Sequence, residues 1–131
     1  MAIKFVPEAL VPEMHRSLIE RYGGMHGVRD RGLLASALAQ PKMTVAGKFV
    51  HRTMFAKASA YGYHLCANHP FVDGNKRIAF GVMYVFLERN GYELSATEQD
   101  AYQTMIAIAK GSMKKPALAA WLRAVSKRVP H

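Results

Sequence analysis

The chain has 131 residues, half of them hydrophobic, a single cysteine and a formal charge of +9. That is long enough to bury a core and too apolar for a disordered chain, and a lone thiol excludes an internal disulfide framework. The longest apolar run, Ile78 to Leu87, is too short to span a bilayer and suits a helix buried on all sides. Met1 to Pro12 shows no basic segment followed by an apolar run, so a cytoplasmic location is expected. The charge is uneven, because no acidic residue follows Asp100 whereas Lys110, Lys114, Lys115, Arg123, Lys127 and Arg128 do. Such a surface draws anions, whether nucleic acid, nucleotide phosphates or an acidic partner.

Helical spacing dominates from the start. Val11, Met14, Leu18 and Tyr22 form a stripe that ends at Gly23-Gly24. Asp30 is placed to cap a second helix carrying Leu34, Ala37 and Leu38, stopped before Pro41. Thr44 to His51 reads differently: Val45, Gly47, Phe49 and Val50 suggest a short extended flap or hairpin. Thr53 then caps a helix with Met54, Ala58, Tyr61 and Leu65 on one face and Cys66 buried among apolar residues.

That helix halts at His69-Pro70, since proline pushes the preceding residue out of helical geometry. The next runs from about Asn75 to Asn90, with Gly91 suited to a left-handed close. Ser95-Ala96-Thr97-Glu98 fits a capping box opening a helix to about Ala109. Leu118, Leu122, Val125 and Val129 stripe a last helix that ends before Pro130. Trp121 and the methionines read as packing residues. The expected fold class is all-α: one domain over residues 1–131, a compact helical bundle around the Ile78–Leu87 helix.

Packing does not explain the segment between the two best-defined helices. Within nine residues it holds His69, Asp73, a Gly74-Asn75 turn, Lys76 and Arg77. The free N–H groups and dipole at the start of the following helix favour anions, phosphate above all. Gly74 lets the backbone approach a ligand closely, and Asn75 is able to cap the helix or donate its amide to a phosphate oxygen. Lys76 and Arg77 stand at the wrong end of a helix for cations, a conflict that a bound anion resolves. Asp73 is a hard oxygen donor suited to Mg²⁺ or to orienting His69. His69, titrating near neutrality, suits proton removal from an attacking hydroxyl. Phe71 reads as an apolar anchor for the loop.

These nine residues, His69-Pro70-Phe71-Val72-Asp73-Gly74-Asn75-Lys76-Arg77, resemble the Fic/Doc family motif His-Pro-Phe-x-(Asp/Glu)-Gly-Asn-(Gly or Lys)-Arg. The resemblance is nearest to the family's Doc, or death-on-curing, toxin branch. Arg21-Tyr22-Gly23-Gly24 with Gly27 and Asp30, and Phe86-Leu87 before Arg89-Asn90-Gly91, look like that branch's flanking sequence. The resemblance implies a helical Fic fold with His69 as general base and Asp73 at the metal or supporting the histidine. It further implies Asn75, Lys76 and Arg77 on the nucleotide phosphates, and a target-aligning flap at Thr44 to His51.

Two departures bear on the reaction. AMP-transferring Fic enzymes have glycine where Lys76 stands and a second arginine where Phe80 stands. Doc toxins share the lysine and are understood to pass the γ-phosphate of ATP to a threonine of elongation factor Tu, arresting translation. The resemblance therefore implies protein phosphorylation with ATP and Mg²⁺. It also implies a toxin held in check by a separate antitoxin of the Phd kind, with an acidic disordered tail, because no (Ser/Thr)-x-x-x-Glu-(Gly/Asn) self-inhibitory motif is evident. AMP transfer to a protein hydroxyl is the nearest alternative, and a non-enzymatic nucleic-acid-binding module, suggested by charge alone, is the alternative of another class. The other histidines, His15, His26, His51, His64 and His131, form no metal-ligand pair at helical spacing, and no Walker loop or G-x-G-x-x-G is present.

Overall fold

The computed structural model describes residues 2–130. Helix makes up 60% of the chain, which meets the all-α expectation. In chain order come α1 (Leu10–Tyr22), α2 (Arg31–Ala39) with a 3-10 turn (Gln40–Lys42), β1 (Thr44–Val45) and β2 (Lys48–Phe49). Then follow α3 (Met54–Asn68), α4 (Asn75–Arg89), β3 (Tyr92–Leu94), α5 (Glu98–Ala109), α6 (Lys115–Ala124) and β4 (Ser126–Arg128).

The centre is the α3–α4 pair. Ala58, Tyr61 and Leu65 from α3 meet Ile78, Ala79, Val82, Met83, Phe86 and Leu87 from α4, all inaccessible to solvent. The two backbones come close because Gly62 has no side chain; a Cβ there would run into the Met83 thioether. On the other side of α4, Met14 and Leu18 of α1 lie over Gly81. The polypeptide before α1 crosses the end of α4, where the Asn90 side chain donates to Lys4 O and accepts from Lys4 N. Val6 from this segment is buried and bonds Tyr61 Oη.

Local signals act as expected at several boundaries. The Asp30 side chain accepts from Leu33 N and that of Thr53 from Ala56 N. Gly91 closes α4 at φ 88. The Thr44–His51 region is an antiparallel hairpin, Thr44 opposite Phe49, turned through Ala46 and Gly47 with both φ values positive. Cys66 is buried, and burial pushes its thiol pKa up.

Other expectations are corrected. The α1 stripe is rotated: Val11, His15 and Ile19 are its buried face, Met14 and Leu18 pack partly, and Tyr22 is exposed. The central helix is not enclosed on all sides, since Tyr84 is 38% exposed. The cap of α5 is Thr97, accepting from Asp100 N, and not Ser95, whose own N–H is committed to Val125 O. The last helix stops at Ala124, and Val129 lies beyond β4 with its N–H on Gly91 O. There the chain pairs antiparallel with β3, Leu94 opposite Ser126, a second small sheet that apolar spacing did not reveal. Met25 and Met43 are exposed and are not packing residues. No described helix is long and apolar enough to cross a membrane.

Candidate active site

Residues 69–74 form the connection from the C-terminus of α3 to the N-terminus of α4. His69 closes α3 in the left-handed region, φ 51 and ψ 54, a conformation disfavoured for a residue with a Cβ and more so before proline. Its side chain is exposed. Arg29 holds the strained turn: its guanidinium donates to His69 O at 2.8 Å and to Asn68 O at 3.1 Å. The backbone of the same region supports the next residues, with Arg29 N and Asp30 N on Pro70 O and Val72 N on Gly27 O.

Phe71 is the anchor its sequence position suggested, 1% exposed and part of the core cluster. Its backbone is gripped by Asn75, whose Oδ1 accepts from Phe71 N at 3.0 Å and whose Nδ2 donates to Phe71 O at 2.9 Å. The Asn75 side chain therefore neither caps α4 nor reaches outward. It is buried and shapes the loop. The cap of α4 is Gly74 at φ 74, which offers no side chain, so the N–H groups of the first turn are left free of side-chain caps.

Asp73 is exposed and its carboxylate is held on two sides. Oδ2 accepts from Met25 N at 3.1 Å and Oδ1 from Gly74 N at 2.8 Å. These two backbone donors, Met25 first, hold its pKa below the usual aspartate value, with Arg77 and His15 adding to the effect. Gly24 is required here: at φ 113 it faces Asp73, and a Cβ would stand 2.7 Å from Oδ2. Lys76 and Arg77 both stand exposed on the first turn of α4. The Arg77 guanidinium lies 4.6 Å from the centre of the Tyr22 ring. Phe80, one turn on, packs against the core, so no second cation stands at that position of α4.

The connection thus brings an exposed imidazole, a carboxylate with lowered pKa, an uncapped helix N-terminus and two cations into one stretch of surface. Sequence reasoning missed the residues that hold it in place. Arg29, the Gly24-Met25 backbone and His15 act across 40, 48 and 58 positions of chain. The only signal was the glycine-rich Arg21 to Asp30 stretch, recognisable as flanking sequence but not as a scaffold. Among the described residues, no group of three or more His, Cys, Asp or Glu is positioned to hold a metal by itself.

The Fic/DOC family pattern matches residues 5–87, which includes the whole connection and its supports. The chain belongs to the Fic/DOC family. It is 44% identical over 75 residues to the toxin Doc of Mycolicibacterium smegmatis, a match covering 57% of this chain and 58% of that protein. It is 30% identical over 117 residues to the protein kinase doc of Escherichia phage P1, covering 89% of this chain and 90% of that one.

Proposed function

We propose that this chain is a Doc-like toxin that transfers the γ-phosphate of ATP to a threonine or serine hydroxyl of a translation protein such as elongation factor Tu. The observation that carries this reading is the uncapped N-terminus of α4 with Lys76 and Arg77 on its first turn, directly after an exposed His69. Such a helix end binds phosphate through backbone N–H groups and its dipole, and the two cations add charge. The names of the two relatives, a toxin and a protein kinase, point the same way.

In this reading His69 takes the proton of the acceptor hydroxyl. The oxygen attacks the γ-phosphorus, the bond to the β-phosphate oxygen breaks, and ADP leaves with that electron pair. Lys76, Arg77 and the free N–H groups of the first turn of α4, that of Asn75 included, hold the phosphates and stabilise charge during transfer, and Gly74, without a side chain, lets the phosphates come close. Asp73 fits a Mg²⁺ site: each carboxylate oxygen uses one lone pair on a backbone N–H and keeps another, and Mg²⁺ needs only one or two carboxylates beside phosphates and water. The ion would neutralise phosphate charge. Phe80 favours phosphate over AMP transfer, because no cation stands where AMP-transferring relatives carry their second arginine.

A separate, acidic antitoxin fits the basic surface. Among the described residues one ion pair is found, Lys42 with Glu8 at 3.8 Å, so nearly all of the 18 lysines and arginines stand without a carboxylate partner. Within the basic C-terminal third, Arg123 lies over the Phe55 ring, Arg128 over Tyr92 and Lys115 on His64, while Lys110, Lys114 and Lys127 are exposed. Expression in a bacterial host tests the reading. The chain should arrest growth, and His69→Ala should relieve the arrest at equal protein level; equal arrest by both removes His69 from the mechanism.

A further inference from the structure

His15 lies outside the motif, on α1, and is 3% exposed. Its neighbours on that face are Val11 and Ile19, and an aliphatic residue would fill the place without the cost of burying an imidazole. Two contacts explain it better than packing does. The ring lies flat against Phe71, centroids 3.9 Å apart and planes 11° from parallel. Nε2 stands 2.7 Å from the backbone oxygen of Asp73. A carbonyl oxygen only accepts, so Nε2 carries the proton and donates it.

The peptide joining Asp73 to Gly74 is therefore held at both ends. Its C=O accepts from His15, and its N–H, on the opposite edge of the same plane, donates to the Asp73 carboxylate. Glycine at φ 74 follows, and a peptide next to glycine rotates more readily than any other. A flip would withdraw the N–H from the carboxylate and put the carbonyl oxygen in its place. The other donor to that carboxylate, Met25 N, comes from an exposed glycine-rich turn, whereas His15 is fixed in a thirteen-residue helix.

We propose that His15 is a positioning residue that locks the 73–74 peptide against flipping and so aims the Asp73 carboxylate and the entry to α4 at the phosphates. Its stacking on Phe71 sets the ring, and its Nε2–H sets the peptide. This inference rests on the reading of residues 69–77 as a phosphate-transfer site, yet its structural core is measurable whether or not transfer occurs.

Three measurements test it. In the unaltered protein at pH 8, ¹⁵N spectra of His15 should show the proton on Nε2; a proton on Nδ1 alone overturns the proposal, because Nε2 could then not donate. In His15→Phe, which keeps an aromatic ring and removes the donor, amide exchange at Gly74 and Met25 should quicken at least tenfold while Leu65 and Val82 stay within twofold. Unchanged exchange at Gly74, or equal acceleration everywhere, overturns it. Transfer by this variant should lose at least tenfold in kcat with KM for ATP within twofold, and a loss confined to KM also counts against the lock. Absence of any His69-dependent transfer by the unaltered chain would instead sink the phosphate-transfer reading, and the exchange result would stand by itself.

Discussion

His69 shows what the site costs. A non-glycine residue in the left-handed region before proline stores on the order of 1–2 kcal/mol, and here Arg29 holds it there through two carbonyls. His69→Gly should therefore be more stable than His69→Ala by about 1 kcal/mol, although both should lose the proposed transfer. Paired thermal melts check this, and an alanine variant as stable as the glycine one would remove the strain argument. Asp73 gives a second test. Its folded pKa lies below the ordinary value, so its contribution is fully present above that value and is lost as pH falls through the folded pKa. An acid titration followed at the Met25 amide should have its midpoint below the usual aspartate range, and Asp73→Asn should abolish the step; a midpoint at or above that range contradicts the two N–H bonds. At this scale the sequence displayed the candidate groups, because His69, Asp73, Lys76 and Arg77 share one short segment. It hid the supports. Nothing about Arg29 or His15 in isolation distinguishes them from a surface cation or a core histidine, since each acquires its role through a contact far along the chain.

Among the elements, those terminated by local chemistry were the ones legible beforehand. Asp30 and Thr53 cap their helices with their own side chains, and Ala46-Gly47 turns the hairpin through positive φ. Elements defined by partners far along the chain were not. β3 and β4 are three residues each and exist by pairing with one another, which also draws Ser95 away from the cap of α5 and ends α6 at Ala124. The rotation of α1 has the same origin: its buried face is chosen by Phe71 and Asp73, which take His15, as well as by apolar spacing. The α3–α4 contact positions the site, because the two helices lead into and out of the connection. Gly62→Ala places a Cβ in the Met83 thioether and should cost about 1–3 kcal/mol, a loss of roughly 4–10 °C in Tm. A Tm within a degree of the parent would show that the pair packs less closely than described.

Taken whole, the molecule is a helical scaffold with one polar interruption at its centre. α3 and α4 are buried along most of their length, and between them six residues depart from helix to carry His69 and Asp73 to the surface. The net charge is strongly positive and, among the described residues, almost free of ion pairs, which suits polyphosphate and an acidic partner alike. The nature of the transferred group decides between the proposed chemistry and its nearest rival, and isotope placement reads it directly. Lysate proteins incubated with the chain and ATP labelled at the γ-phosphorus should acquire label, with none from the α-labelled nucleotide and none when His69→Ala replaces the parent. Label arriving from the α position alone, or arriving equally with the alanine variant, would contradict phosphate transfer by His69.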